Sequence, residues 1–136
     1  MRATRTALEA WRAAIDIAED VYRVTKTFPV KETEALTMPL QRSAVSVLSS
    51  IVEGEGRSSK KELSEFLSQF RGFLFEVETQ ISLARRLGYV DAQQAESILR
   101  KTASIAKLSH ATRRPSIQQR LPGRSGLRGV AVRAGS

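Results

Sequence analysis

Cysteine is absent from this chain. Disulfides and thiolate-bound metals are thereby excluded, and a reducing cytoplasm is the expected compartment. Histidine occurs once, at His110. No Asp or Glu stands near it at metal-ligand spacing, and no serine or threonine has a base partner to activate it as a nucleophile. Neither a cofactor, a metal nor an enzymatic activity is therefore expected. Aromatics make up 6% of the residues, with a single Trp, so the core must be mainly aliphatic. No run reaches the roughly 18 consecutive apolar residues of a membrane span, and no membrane partner is expected. The opening MRATRTALEAW is basic but has no apolar stretch behind it, so a secretory leader is not expected.

What is present is a 136-residue chain with a formal charge of +8, long enough for one domain with its own core. The charge is unevenly placed. Residues 1–110 hold 16 Lys/Arg against 14 Asp/Glu, while residues 111–136 hold six Arg and no acid. Most of the basic character thus belongs to the C-terminal segment. Its composition, LPGRSGLRGVAVRAGS, is too poor in large apolar groups to order itself, and it reads as a disordered tail over 111–136.

Residues 7–110 read as four helices. Trp11, Ala14, Ile15, Ala18, Val21, Tyr22, Thr25 and Phe28 recur at three- and four-residue steps and form one apolar stripe. Phe28-Pro29 ends that helix, since proline pushes the residue before it out of the α region. A second helix opens near Thr37 with Pro39 in its first turn, where a missing N–H costs little. Its inner face is Leu40, Ala44, Val47, Leu48 and Ile51. The third starts in RSSKKE, with Ser59 and Glu62 at capping-box spacing. It continues through Leu63, Phe66, Leu67, Phe70, Leu74, Val77, Ile81 and Ala84. Arg85 and Arg86 suit the negative end of its dipole, and Gly88 suits the left-handed position beyond it. Asp91 with Gln94 opens a fourth helix on Ala95, Ile98, Leu99, Thr102, Ile105 and Leu108.

The segment VSVLSSIVEGEGRSSK invites a phosphate-loop reading through Gly54-x-Gly56-x-x-Ser59. A dinucleotide fingerprint needs a strand before the glycines and a parallel sheet around them. Here the preceding apolar positions keep helical spacing and no strand is available to pair. Gly54 and Gly56 read as the end of one helix, Ser58 and Ser59 as the start of the next. The free N–H groups opening the third helix, with Arg57, Lys60 and Lys61, could still hold an anion, or be ordinary surface charge. Glu53, Glu55, Glu76 and Glu78 could form a carboxylate pair, or be solvated or paired with Arg57 and Arg71. Gly72, in mid-helix, suggests close approach of a neighbouring helix. Phe73 and Phe75 cannot both share the stripe of Phe70 and Leu74. One of them facing outward would suggest a subunit interface; a wide core taking both is the alternative.

The segments VYRVTKTFP, LT at 36–37, AVSVLSSIVEGEGRSSKKE, FLSQFRGFLFEVETQ and ARRLGYV carry a family resemblance over about residues 8–92. In order and spacing they resemble the four-helix-bundle proteins encoded in intervening sequences of bacterial 23S ribosomal RNA genes. More distantly the chain is similar to the accessory variability determinant proteins of diversity-generating retroelements. The resemblance implies an all-α, up-down antiparallel four-helix bundle assembling into a ring-shaped homopentamer. Through the retroelement relatives it implies binding of a partner reverse transcriptase and of nucleic acid on a basic surface. It offers no catalytic residues. Pro39, Ser43, Ser50 and Phe73 depart from the family pattern, and the fourth helix lacks a leucine-rich finish.

Two functions follow as expectations. One is a non-enzymatic oligomeric scaffold that associates with RNA or DNA through Arg42, Arg57, Lys60, Lys61, Arg85, Arg86, Arg113 and Arg114, supported by Arg71, Arg100, Lys101, Lys107 and further tail arginines. Phosphate contacts need only such cations at suitable spacing. The other is a protein-docking module, for instance for a reverse transcriptase, that binds no nucleic acid and uses Phe73 or Phe75.

Overall fold

The computed structural model describes residues 5–54 and 59–111. Arg57, Glu55, Gly56, Ser58 and the C-terminal segment with Arg113 and Arg114 lie outside the described residues.

Four helices follow one another: α1 (Arg5–Thr25), α2 (Met38–Gly54), α3 (Lys60–Arg86) and α4 (Ala92–Ala111). α1 stops in a tightened turn, with the amides of Lys26, Thr27 and Phe28 bonded three residues back, and Pro29 is extended. The link to α2 winds through a 3₁₀ turn (Val30–Glu32) and a π turn (Thr33–Thr37). Pro39 is the second residue of α2, as its lack of an N–H allows.

The caps follow the sequence closely. Ser59 Oγ accepts the Glu62 amide at 3.0 Å. Asp91 Oδ1 accepts the Gln94 amide at 2.7 Å, and Gln94 Oε1 accepts the Asp91 amide at 3.3 Å. These bonds occupy orphan N–H groups at the two helix starts. Gly88 has φ 83°, a conformation that only glycine adopts without strain. That turn lets the Tyr89 amide reach Ala84 O at 2.9 Å and the Gly88 amide reach Arg85 O at 3.0 Å, the two bonds of a Schellman stop.

α1 packs on α2 and α4, and α3 packs on α2 and α4, giving a square bundle of antiparallel neighbours. The α1–α2 and α3–α4 links lie at one end, where the Tyr89 hydroxyl donates to Glu32 Oε2 at 2.7 Å and the Phe28 and Tyr89 rings meet at 5.6 Å. Ile17, Leu40, Val47, Val77, Ile81, Ile98 and Ile105 are essentially fully buried. Each such side chain contributes about 1.5–3 kcal/mol by leaving water.

Two expectations need correction. The inner stripe of α1 is Ala14, Ile17, Val21, Val24 and Phe28, while Trp11 and Tyr22 are exposed. The true stripe is turned by roughly one residue from the expected one. Gly72 is not a site of close helix approach, because a β-carbon there would meet nothing within 4 Å. Gly54 has the stronger packing reason: a β-carbon would stand 2.5 Å from the Phe66 ring. Gly54 is the last residue of α2, and the ring of α3 lies across it.

Candidate nucleic-acid interface and subunit surface

Each seam of the square carries a side-chain bond between its two helices. Gln41 Nε2 of α2 donates to Thr25 Oγ1 of α1 at 3.0 Å. Ser43 Oγ of α2 donates to Glu76 Oε1 of α3 at 2.8 Å, with Pro39 O 3.0 Å from the same oxygen. Thr102 Oγ1 of α4 donates to Glu78 Oε2 of α3 at 2.9 Å. Lys101 Nζ of α4 meets Asp20 Oδ2 of α1 at 2.6 Å, and Arg23 holds the other oxygen at 2.7 Å.

These bonds decide what Glu76 and Glu78 do. Two residues apart on one helix, they point to the two seams on either side of α3, so they form no carboxylate pair. Each accepts a hydroxyl from a different neighbouring helix. Ser43, a departure from the family pattern, supplies one of those hydroxyls. Among the described residues, no group of three His, Cys, Asp or Glu could hold a metal ion. No helix among them is long and apolar enough to cross a membrane.

The seam bonds also fix which way each helix turns, and so where its outer residues lie. Counting back from Thr25 at steps of three and four gives Tyr22, Ala18, Ile15, Trp11 and Leu8. The same steps about Gln41 give Met38, Val45, Leu48 and Val52. Thr25 and Gln41 touch, so both lines flank the α1/α2 seam. Along its outside, Trp11 (40% exposed), Tyr22 (47%), Val45 (40%) and Val52 (46%) form an apolar face. Sequence periodicity found Trp11 and Tyr22 but assigned them to the core.

On the far side of the square, Phe75 stands three residues before Glu78 and so flanks the α3/α4 seam, 49% exposed. Phe73 is half-buried and packs against the core. Of the two, Phe75 is the outward one.

The expected cations do not gather into one patch. Lys60 and Lys61 open α3, and Arg85 and Arg86 close it. That helix has 27 residues, so the two pairs stand roughly 37 Å apart at 1.5 Å per residue. Lys61, Arg85, Arg86 and Arg42 are exposed. Arg42 lies in the first turns of α2, in the half of the bundle that carries Arg85 and Arg86. Lys101 is committed to Asp20 and belongs to the seam.

The chain is thus an antiparallel four-helix bundle tied by a polar bond across each seam, with exposed apolar side chains outside the α1/α2 seam and the exposed Phe75 beside the opposite one. Residues 6–111 match the model of one family, 23S rRNA-intervening sequence protein. The chain belongs to that family, which spans the whole described bundle. A comparison with curated proteins gives no match.

Proposed function

We propose that this chain is a non-enzymatic scaffold that assembles with copies of itself into a closed ring in a reducing cytoplasm and carries RNA or DNA on its basic surface. The observation that carries the reading is the apolar face outside the α1/α2 seam. A lone bundle would leave these large side chains half in water, and clustered exposed apolar groups mark a docking surface. Phe75 lies on the opposite seam. An apolar face on one side of the chain and an exposed ring on the other suit head-to-tail contacts, which generate rings when the rotation closes. The exposed cations supply phosphate contacts without reading base sequence.

Trp11 is the only Trp and sits in the proposed contact, so its fluorescence reports on assembly. Light scattering through a dilution series should give a mass of several copies, with Trp11 emission moving to the red as the assembly dissociates. A monomer mass at every concentration, with solvent-like emission throughout, would end the assembly half of the reading. Failure to bind RNA or DNA at low salt would end the other half. A second reading, a docking module for a protein such as a reverse transcriptase, draws on the exposed Phe75. It requires partner capture that is indifferent to salt and lost in Phe75→Ala.

A further inference from the structure

We infer that the seat for the nucleic-acid backbone on the folded bundle is the outer ridge of α4 formed by Arg100, Ser104 and Lys107. The inference rests on the nucleic-acid half of the proposed function and names its site.

The last acidic residue of the chain is Glu96. The 40 residues after it contain nine Lys/Arg, so the acid-free stretch begins inside α4, well before the C-terminal segment. Its first three cations are therefore held on a helix. Lys101 turns to Asp20 at 2.6 Å and drops out of the count. Arg100 and Lys107 are exposed and have no acidic partner among the described residues.

Arg100 and Lys107 are seven residues apart, two turns or roughly 10 Å along one side of the helix. Ser104 stands between them, with its hydroxyl available as a donor, and Ala103 is small. Together with Lys101 these residues line an open depression of about 410 Å³. Short side chains between two longer cations leave room for a phosphate to approach the helix surface. Lys107 also suits the negative end of the α4 dipole. That role does not account for Arg100, which stands mid-helix.

The ridge offers charge and one hydroxyl but no aromatic platform for stacking bases. The chemistry it recognises is thus the phosphate–sugar backbone of a strand, without base preference. RNA and DNA share the phosphates, and only RNA adds a 2′-hydroxyl.

The test is fluorescence anisotropy of the full-length chain with labelled single-stranded RNA and, separately, DNA, across a salt series. Wild type is compared with Arg100→Gln/Lys107→Gln and with Arg85→Gln/Arg86→Gln, which removes the same charge at the other end of the bundle. All four side chains are exposed, and circular dichroism checks that the helices remain. The α4 pair should weaken binding and lower the magnitude of the log–log salt slope by about 1.4, from about 0.7 per phosphate contact on a single strand. The Arg85/Arg86 pair should leave the slope nearly unchanged. Loss in both the RNA and the DNA arm supports a phosphate seat, and loss with RNA alone supports one that also uses the 2′-hydroxyl. If wild type binds but the α4 pair keeps its slope, or the control pair loses as much, the ridge is not the seat and the general nucleic-acid reading stands. If wild type itself fails to bind at low salt, that reading falls and the ridge with it.

Discussion

Thr102 and Glu78 meet side chain to side chain at 2.9 Å across the α3/α4 seam, and Thr102 is completely buried. A buried hydroxyl is tolerated because it has that acceptor, and the acceptor is tolerated because it has that donor. Thr102→Val keeps the shape and removes the donor, leaving the half-buried Glu78 carboxylate without its partner from α4. The expected loss is about 1–3 kcal/mol, read from the urea midpoint. Thr102→Val combined with Glu78→Leu should recover much of it, since replacing both partners by apolar groups removes the unsatisfied acceptor. No recovery would mean that the bond has no part in the loss.

Two glycines should respond with opposite signs. Gly72→Ala places a methyl in open space and should stabilise the isolated bundle by about 1 kcal/mol. Gly54→Ala places one 2.5 Å from the Phe66 ring, which stacks on Phe70 with centroids 5.9 Å apart. The ring must swing away from its partner, at a cost of about 1–3 kcal/mol. Thermal melts of the two variants under dissociating conditions decide both cases.

Caps and punctuation were legible in the sequence because they depend on neighbours three to five residues away: Ser59 with Glu62, Asp91 with Gln94, Gly88 after Arg86. The inner faces of α2, α3 and α4 were legible for the same reason. The rotation of α1 was not. Its apolar residues wrap more than one face, and periodicity reports that an apolar face exists without saying which one meets the core. Ile17 and Val24 were therefore passed over for Trp11 and Tyr22. The bonds Ser43–Glu76 and Thr102–Glu78 left no sequence signal either, because nothing local links residues on different helices. Lys101 shows the same limit for charge: counted as a free cation, it is half of a pair with Asp20.

The hydrogen bond to Glu32 holds the Tyr89 hydroxyl above the ordinary tyrosine range, with burial and the Glu32 charge acting in the same direction. The folded state therefore keeps this proton at a pH where the unfolded chain has begun to lose it. The stabilisation is complete below pH about 10, the unfolded value, and is lost as pH rises through the folded value. Chemical denaturation across alkaline pH should show wild type losing more stability than Tyr89→Phe. Parallel curves would exclude Tyr89 as the titrating group.

Replacing Trp11 and Val45 together by Gln should leave the bundle folded, as both side chains face outward, while lowering the assembled mass at a given concentration. Sedimentation velocity beside circular dichroism separates the two effects. An unchanged mass would clear the α1/α2 face of any part in assembly.

Of the four seams, three join helices that follow one another in the chain. The fourth, α1 to α4, joins its two ends, and the Lys101–Asp20 pair spans 81 residues. Contacts between chain neighbours cost little loop entropy and form early, so helical bundles of this kind fold within microseconds to milliseconds. The α1/α4 seam closes the longest loop, and its closure costs the most chain entropy. An interaction that forms after the folding barrier slows unfolding and leaves folding almost untouched. Asp20→Asn should therefore steepen the route out of the native state rather than the route in. If unfolding quickens while folding is unchanged, the ion pair is a late latch on the lifetime of the closed bundle.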